Sequence, residues 1–157
     1  MKRETIVVLD FGGQTAQLIA RRIRDKGVYT EVMPAETVFR GEWTGGVKGV
    51  VLSGSPASVN EKEAPKPDAS LFELEVPLLG ICYGLHLLIE RYGGKVSSLP
   101  VREFGRAKIE VRKKVPLFEE IPEEFVSWMS HGDSIEELGN GSEVVARSEN
   151  GLPAVIY

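Results

Sequence analysis

The sequence has 157 residues, enough for one domain with a sizeable core, and 42% of them are hydrophobic, 27% charged and 8% aromatic, an ordinary globular balance. Nineteen basic against 23 acidic residues give a net charge of −4, which argues against a nucleic-acid partner, and no apolar run approaches the ~20 residues of a membrane span. A single cysteine, Cys82, excludes an internal disulfide and a cysteine-based metal cluster and fits a reducing compartment. We therefore expect a cytoplasmic protein without nucleic-acid or membrane partners.

The first predicted elements are a buried strand and a helix. Residues 6–9 form a continuous run of isoleucine, valine and leucine, which is typical of a central strand in a parallel sheet. A turn signal follows at 10–13. Apolar side chains then recur at helical spacing from Ala16 to Ile23, and Gly27 is a suitable helix end. The segment predicts a strand, a glycine turn and a helix.

The same alternation continues to Gly94, after which short strand-like runs predominate. Further strands are predicted at 29–33, 49–53 and 77–82, and helical segments at 38–39, 69–74 and 85–92. Beyond Gly94, strands are predicted at 95–98, 107–111, 125–129, 143–147 and 154–156. We predict one α/β domain over 1–157, a three-layer sandwich of flavodoxin-like type with a mainly parallel central sheet, plus a smaller antiparallel sheet.

Three polar or glycine-rich segments follow predicted parallel strands, at 10–14, 53–56 and 80–84. Since chemistry collects at the carboxyl ends of such strands, we expect these segments to form one site. Asp10, at the end of the first strand, could be a ligand of a metal or a ribose.

The segment Gly80-Ile81-Cys82-Tyr83-Gly84 has the pattern of a nucleophile elbow. Flanking glycines relieve crowding at a sharp turn, and the start of the following helix favours the thiolate of Cys82. The backbone N–H of Tyr83 would point toward an oxyanion formed on a substrate carbonyl, and the 53–56 segment could supply a second N–H. The alternative is a buried core cysteine beside a plain turn.

These motifs resemble the class I (triad-type) glutamine amidotransferases, and within them the glutaminase domain of GMP synthetases. The resemblance includes Leu-Asp-Phe-Gly-Gly-Gln at 9–14 and the elbow at 80–84. It also includes Arg-Glu-Phe-Gly at 102–105, Trp-Met-Ser-His-Gly-Asp at 128–133 and the helix segment at 18–22. These five segments occur in order, so the resemblance extends over nearly the whole chain.

The resemblance implies that Cys82 attacks the side-chain amide of glutamine, forms a glutamyl thioester and releases ammonia. Tyr83 and Ser55 would provide the oxyanion N–H groups. The substrate would be bound by Gly54, His86, Met129, Ser130, His131 and Gly132. His86 stands where the family usually has a glutamine, and its alternative role is to pack at the helix start. The resemblance gives Asp10 a structural role, which is to close its turn. Ser55 replaces a glycine. Gly13 and Thr15 stand where serine and tyrosine are common, and we regard these two differences as neutral.

In GMP synthetases the ammonia passes to an ATP-pyrophosphatase domain or subunit that has activated xanthosine monophosphate. The resemblance therefore implies ATP and Mg²⁺ in that synthetase partner, and no metal or cofactor in this domain. Nothing in the present sequence resembles the phosphate-binding loop of that partner.

The family completes its triad with a His-Pro-Glu motif, and the sequence contains no such triplet. Residues 152–157 resemble the strand that precedes the motif, so we expect the domain to lack its C-terminal end and to be a poor or inactive glutaminase. His131-Gly132-Asp133 has a similar spacing, but it matches a different family motif.

Two other functions stay open. One is a non-catalytic, flavodoxin-like binding or regulatory module. The other is an amidotransferase partner in anthranilate or CTP synthesis, which the segments at 102–105 and 129–133 disfavour.

Overall fold

The computed structural model describes residues 3–97 and 103–156, in two compact units, Met1–Leu88 and Ile89–Tyr157. Ser98 of a predicted strand, Arg102 of a family motif and the final Tyr157 lie outside the described residues. Within the described residues, no helix has both the length and the apolar character needed to cross a bilayer.

The first unit is built on a parallel sheet with strand order β2-β1-β3-β4. Its strands are β1 (Thr5–Asp10), β2 (Thr30–Pro34), β3 (Val47–Leu52) and β4 (Leu78–Gly80). Helix α1 (Ala16–Arg24) lies between β1 and β2, and helix α2 (Tyr83–Arg91) follows β4. Single 3₁₀ turns occur at Glu42–Gly46 and Ala69–Glu73.

The apolar run at 6–9 produces the central strand because both of its faces are covered. Val7, Val8 and Leu9 are fully buried in β1. Helix α1 packs on one face of the sheet through Ala16 and Ala20, whose short side chains bring the helix close to the valines of β1 and β3. Since parallel crossovers are right-handed, the connections that lead from β2 to β3 and from β3 to β4 pass over the opposite face.

The second unit is antiparallel. Its strands are β5 (Lys95–Ser97), β6 (Glu103–Val111), β7 (Glu124–His131), β8 (Ser134–Glu137), β9 (Val144–Ser148) and β10 (Pro153–Ile156), with a 3₁₀ turn at Pro116–Phe118. One sheet has the order β10-β9-β6-β7, and β5 pairs with β8 in a second. The core of the larger sheet contains Ile109 and Val145, which are almost completely buried.

The predicted fold class is confirmed: a parallel sheet with helices is followed by antiparallel strands. The strand predicted over 77–82 ends at Gly80, because the chain turns sharply at Cys82. The helical segment predicted at 38–39 is wrong. Phe39 is buried and its N–H donates to Ser70 Oγ at 2.8 Å, so a tertiary contact shapes this stretch. Strand β8 was not predicted, and its pairing with β5 divides the antiparallel strands into a pair of sheets instead of one.

Candidate active site

Cys82 lies in a sharp turn between β4 and α2. Its φ angle is +50°, in the left-handed region that residues with a Cβ rarely adopt. Among the described non-glycine residues, only Cys82 and Glu120 have a positive φ. The Ile81 N–H still bonds the Leu52 carbonyl of β3 at 2.9 Å, and the His86 N–H donates to the Cys82 carbonyl at 3.1 Å as α2 begins. The strand–turn–helix geometry predicted for the elbow is confirmed.

The two glycines of the elbow are required by close backbone contacts. A Cβ on Gly84 would collide with the Leu52 carbonyl oxygen and would lie 2.7 Å from the carbonyl carbon. A Cβ on Gly80 would lie 2.5 Å from the carbonyl carbon of Gly84 and from the backbone nitrogen of Leu85. The start of α2 therefore rests directly on the backbone of β3 and β4, and this contact fixes the position of Cys82.

The three segments at the ends of the strands meet as predicted. A Cβ built on Gly54 would lie 3.8 Å from the Cys82 Cβ, so the 53–56 segment borders the cysteine. A Cβ on Gly13 would collide with the Gly54 carbonyl oxygen, so the 10–14 segment borders Gly54 in turn. The Gly13 difference is therefore not neutral, because a serine at 13 would need the backbone to move.

Ser53 connects the 10–14 segment to the 53–56 segment by hydrogen bonds, a role that was not predicted from the sequence. The side chain is fully buried at the end of β3, and its Oγ accepts a hydrogen bond from the Phe11 N–H at 3.3 Å. The same hydroxyl donates a hydrogen bond to the Gly54 carbonyl oxygen at 3.2 Å. A serine directly after a buried apolar strand was the only sequence signal for it. Asp10 closes its own turn as expected, since its Oδ1 accepts from the Gly12 N–H at 2.9 Å.

Of the residues expected to supply oxyanion N–H groups, Tyr83 follows Cys82 in the chain and Ser55 follows Gly54, which borders Cys82. Tyr83 is the first residue of α2 and is only 3% exposed. Its hydroxyl donates to the Pro65 carbonyl at 2.6 Å, and its ring centroid lies 5.6 Å from that of Phe11. Ser55 adjoins Gly54, and its Oγ accepts from the Ala57 N–H at 3.2 Å. Ser55 does not need a positive φ, so its Cβ is accommodated without strain.

The Cys82 thiol is partly buried, and burial raises its pKa above the usual range. The thiolate stabilisation expected from the start of α2 would act in the opposite direction, and it stays a prediction. A base that takes the thiol proton would therefore favour a nucleophilic role for Cys82.

His86 lies one helical turn after Cys82 and is 7% exposed. The burial of His86 fits the alternative in which it only packs at the helix start. Its position one turn from Cys82 also fits a contact with the substrate, so both roles stay open. The remaining predicted substrate-binding residues lie in the second unit, where Met129, Ser130 and His131 end β7 and Gly132 follows. Met129 packs against the core of the larger antiparallel sheet, and Ser130 is exposed. The side chain of His131 is not among those described.

No group of three histidine, cysteine, aspartate or glutamate residues within 3–97 and 103–156 is arranged to hold a metal ion.

Comparison with known proteins agrees with this geometry. Residues 7–156 match the family "Glutamine amidotransferase class-I". A GMP synthase (glutamine-hydrolysing) of Caldanaerobacter subterraneus is 50% identical over 150 residues, covering 96% of this chain and 29% of that protein. The corresponding enzyme of Aquifex aeolicus is 46% identical over 156 residues, covering 99% of this chain and 31% of that protein. The chain thus spans about three-tenths of these relatives' length.

Solved structures show the same fold. A GMP synthase-type protein of Thermoplasma acidophilum superposes with a TM-score of 0.85 at 26% identity, covering all of this chain and 79% of that one. A glutamine amidotransferase of Thermotoga maritima superposes with a TM-score of 0.76 at 20% identity, covering all of this chain and 72% of that one. From the family match over residues 7–156 and the cysteine elbow, we conclude that the chain belongs to the class-I glutamine amidotransferase family.

Proposed function

We propose that the chain is the glutaminase portion of a GMP synthase and supplies ammonia for the amination of xanthosine monophosphate. The observation that carries the proposal is Cys82, held at a positive φ between β4 and α2 in a glycine-flanked elbow. The GMP synthases that are 45–50% identical to this chain support the choice of product.

In the proposed reaction the Cys82 sulfur attacks the side-chain carbonyl carbon of glutamine as a thiolate. The carbonyl π electrons move to the oxygen, which becomes an oxyanion. When the C–O double bond re-forms, the C–N bond breaks, the nitrogen accepts a proton and ammonia leaves. The product is a glutamyl thioester on Cys82. Water then attacks the thioester, releases glutamate and returns the thiol.

We assign the oxyanion site to the backbone N–H groups of Tyr83 and Ser55. Tyr83 directly follows the nucleophile, and its side chain is fixed by the Pro65 and Phe11 contacts. Ser55 adjoins Gly54, which borders Cys82. Donors that are held in place before the reaction stabilise a developing negative charge without reorganisation.

We assign glutamine binding to Gly54 and His86 near the nucleophile and to Met129, Ser130, His131 and Gly132 at the end of β7. In β7 the inward side chain of Met129 anchors the strand in the core. We propose that backbone groups around this strand end bind the α-amino and α-carboxyl groups of the substrate.

Because burial raises the pKa of Cys82, a base that takes the thiol proton would speed the attack on glutamine. The sequence contains no His-Pro-Glu triplet. We therefore propose that the polypeptide of this sequence, on its own, forms the thioester slowly and turns over glutamine poorly. ATP and Mg²⁺ would act in the synthetase partner.

The test uses an electrophilic glutamine analogue that alkylates the nucleophile of glutaminases. We expect stoichiometric modification of Cys82, protection by glutamine, and little ammonia release from glutamine. The Cys82→Ser variant is the matched control and should take up no label. Rapid turnover by this polypeptide would refute the missing-base proposal. If Cys82 resisted both the analogue and small alkylating reagents, the nucleophile assignment would be wrong and a non-catalytic module would be the better description.

A further inference from the structure

The outer face of the β6–β7 ribbon carries exposed aromatic side chains that the proposed chemistry does not use. Phe104 is 65% exposed and Trp128 is 70% exposed. In the antiparallel register Trp128 lies opposite Arg106, and Phe104 lies opposite Ser130. We call these four residues, together with Val126, the ribbon face.

The ribbon face is built by strand alternation. The intervening side chains Ala107, Ile109, Phe125 and Met129 point to the other side, where they form the core with Val145. Strand β9 pairs with β6 only at residues 109–111, so the portion of the ribbon that carries Phe104 and Trp128 extends beyond that strand. The exposure of the two rings is therefore fixed by the same alternation that builds the core.

We propose that the ribbon face docks onto the synthetase partner that uses the ammonia, at an apolar surface bordered by carboxylates. This inference rests on the proposed function. Tryptophan and arginine are the residues that most often dominate interface energies, and the two rings alone offer on the order of 250 Å² of accessible surface. Arg106 is exposed and has no ion-pair partner among the described residues, so it is available for a carboxylate.

The position of the ribbon face indicates the synthetase as its occupant. Ser130 lies on this face and belongs to the strand end that we assign to glutamine binding. The matched GMP synthases are about three times as long as this chain, so the remainder of such a protein is the occupant that we propose for this face.

Charge disfavours two other occupants. A two-fold contact between copies of this chain, centred on Trp128, would bring Arg106 close to its own copy, and two like charges facing each other disfavour such a contact. A nucleic acid would meet Glu124 at the end of the same face, and the chain has a net charge of −4.

The experiment uses the complete GMP synthase that contains this domain, as one polypeptide or as its two-subunit complex. GMP formation is measured with glutamine and with ammonium chloride, together with glutamate release. We expect Trp128→Ser and Arg106→Glu each to reduce the GMP formed per glutamate released by about tenfold or more, the effect of losing an interface hot spot. The KM for glutamine and the ammonium-dependent rate should be unchanged, and Trp128→Phe should retain most of the coupling.

Matched controls come from exposed residues of the other unit. Trp43→Ser removes a tryptophan that is 41% exposed, and Lys26→Glu reverses a charge at an exposed position. Neither should change the coupling. If Trp128→Ser and Arg106→Glu formed as much GMP per glutamate released as the unmodified enzyme, the docking inference would be overturned. The proposed function would then still stand.

Other outcomes separate the alternatives. An unmodified enzyme that made GMP from ammonium but not from glutamine would refute the proposed function itself. If the ribbon-face variants retained coupling but lost self-association, measured by analytical ultracentrifugation, the occupant would be a second copy. If they retained coupling but lost affinity for a 20-nucleotide single strand, it would be a nucleic acid; both results overturn the inference.

Discussion

Replacing Gly84 with alanine tests whether the elbow depends on backbone contact between α2 and β3. The new methyl carbon would collide with the Leu52 carbonyl oxygen and lie 2.7 Å from its carbon. Overpacking typically costs about 1–3 kcal/mol, and here the obstacle is backbone that cannot rotate away, so we expect about 3 kcal/mol. At about 2–4 °C per kcal/mol for a chain of this length, the melting temperature should fall by roughly 6–12 °C.

The measurement is thermal and urea unfolding of Gly84→Ala beside Gly54→Ala. A Cβ on Gly54 would make only ordinary contacts, the nearest at 3.8 Å, so Gly54→Ala should shift the melting temperature by no more than about 2 °C. If both variants unfolded at the same temperature, the close packing of α2 on β3 could not be what positions Cys82. Labelling of Cys82 by the glutamine analogue should also slow in Gly84→Ala, because the nucleophile moves with the helix start.

Three further changes probe the same region. The alkylation rate of Cys82 should reach its half-maximum at a higher pH in the folded chain than in urea, because burial raises the pKa of the folded thiol. The unfolded chain therefore loses its thiol proton first, so the free energy of unfolding should fall as pH rises above the ordinary thiol pKa. The Cys82→Ser variant should lack this pH dependence. Ser53→Ala should cost about 1–3 kcal/mol in urea unfolding, because the buried Phe11 N–H loses its acceptor; an unchanged midpoint would contradict this. Tyr83→Phe should cost about 1 kcal/mol and increase proteolysis near Pro65, whereas unaltered cleavage would show that the hydroxyl does not hold that loop.

The sequence predicted those features of the fold that depend on local pattern. The continuous apolar run at 6–9 is typical of a central strand, and β1 confirms that prediction. The elbow was predictable because Gly80 and Gly84 flank a nucleophile at a strand–helix junction. Both glycines turned out to be required by backbone contacts.

Features that depend on distant contacts could not be predicted from the sequence. Strand β8 contains a single strongly apolar residue, Ile135, and it forms because β5 pairs with it. Phe39 is held by a bond to Ser70, thirty-one residues away. The burial that raises the pKa of Cys82 arises in the folded chain, whereas the sequence shows only that a helix follows the cysteine.

The positive φ of Cys82 has a consequence for how this position evolves. A residue with a Cβ pays about 1–2 kcal/mol to adopt the left-handed conformation, and glycine does not. Cys82→Gly should therefore fold more stably while lacking the sulfur. Under selection for thermostability alone, we expect glycine to replace the cysteine at position 82. A cysteine that is retained in variants evolved at high temperature would therefore indicate that the thiol has a function.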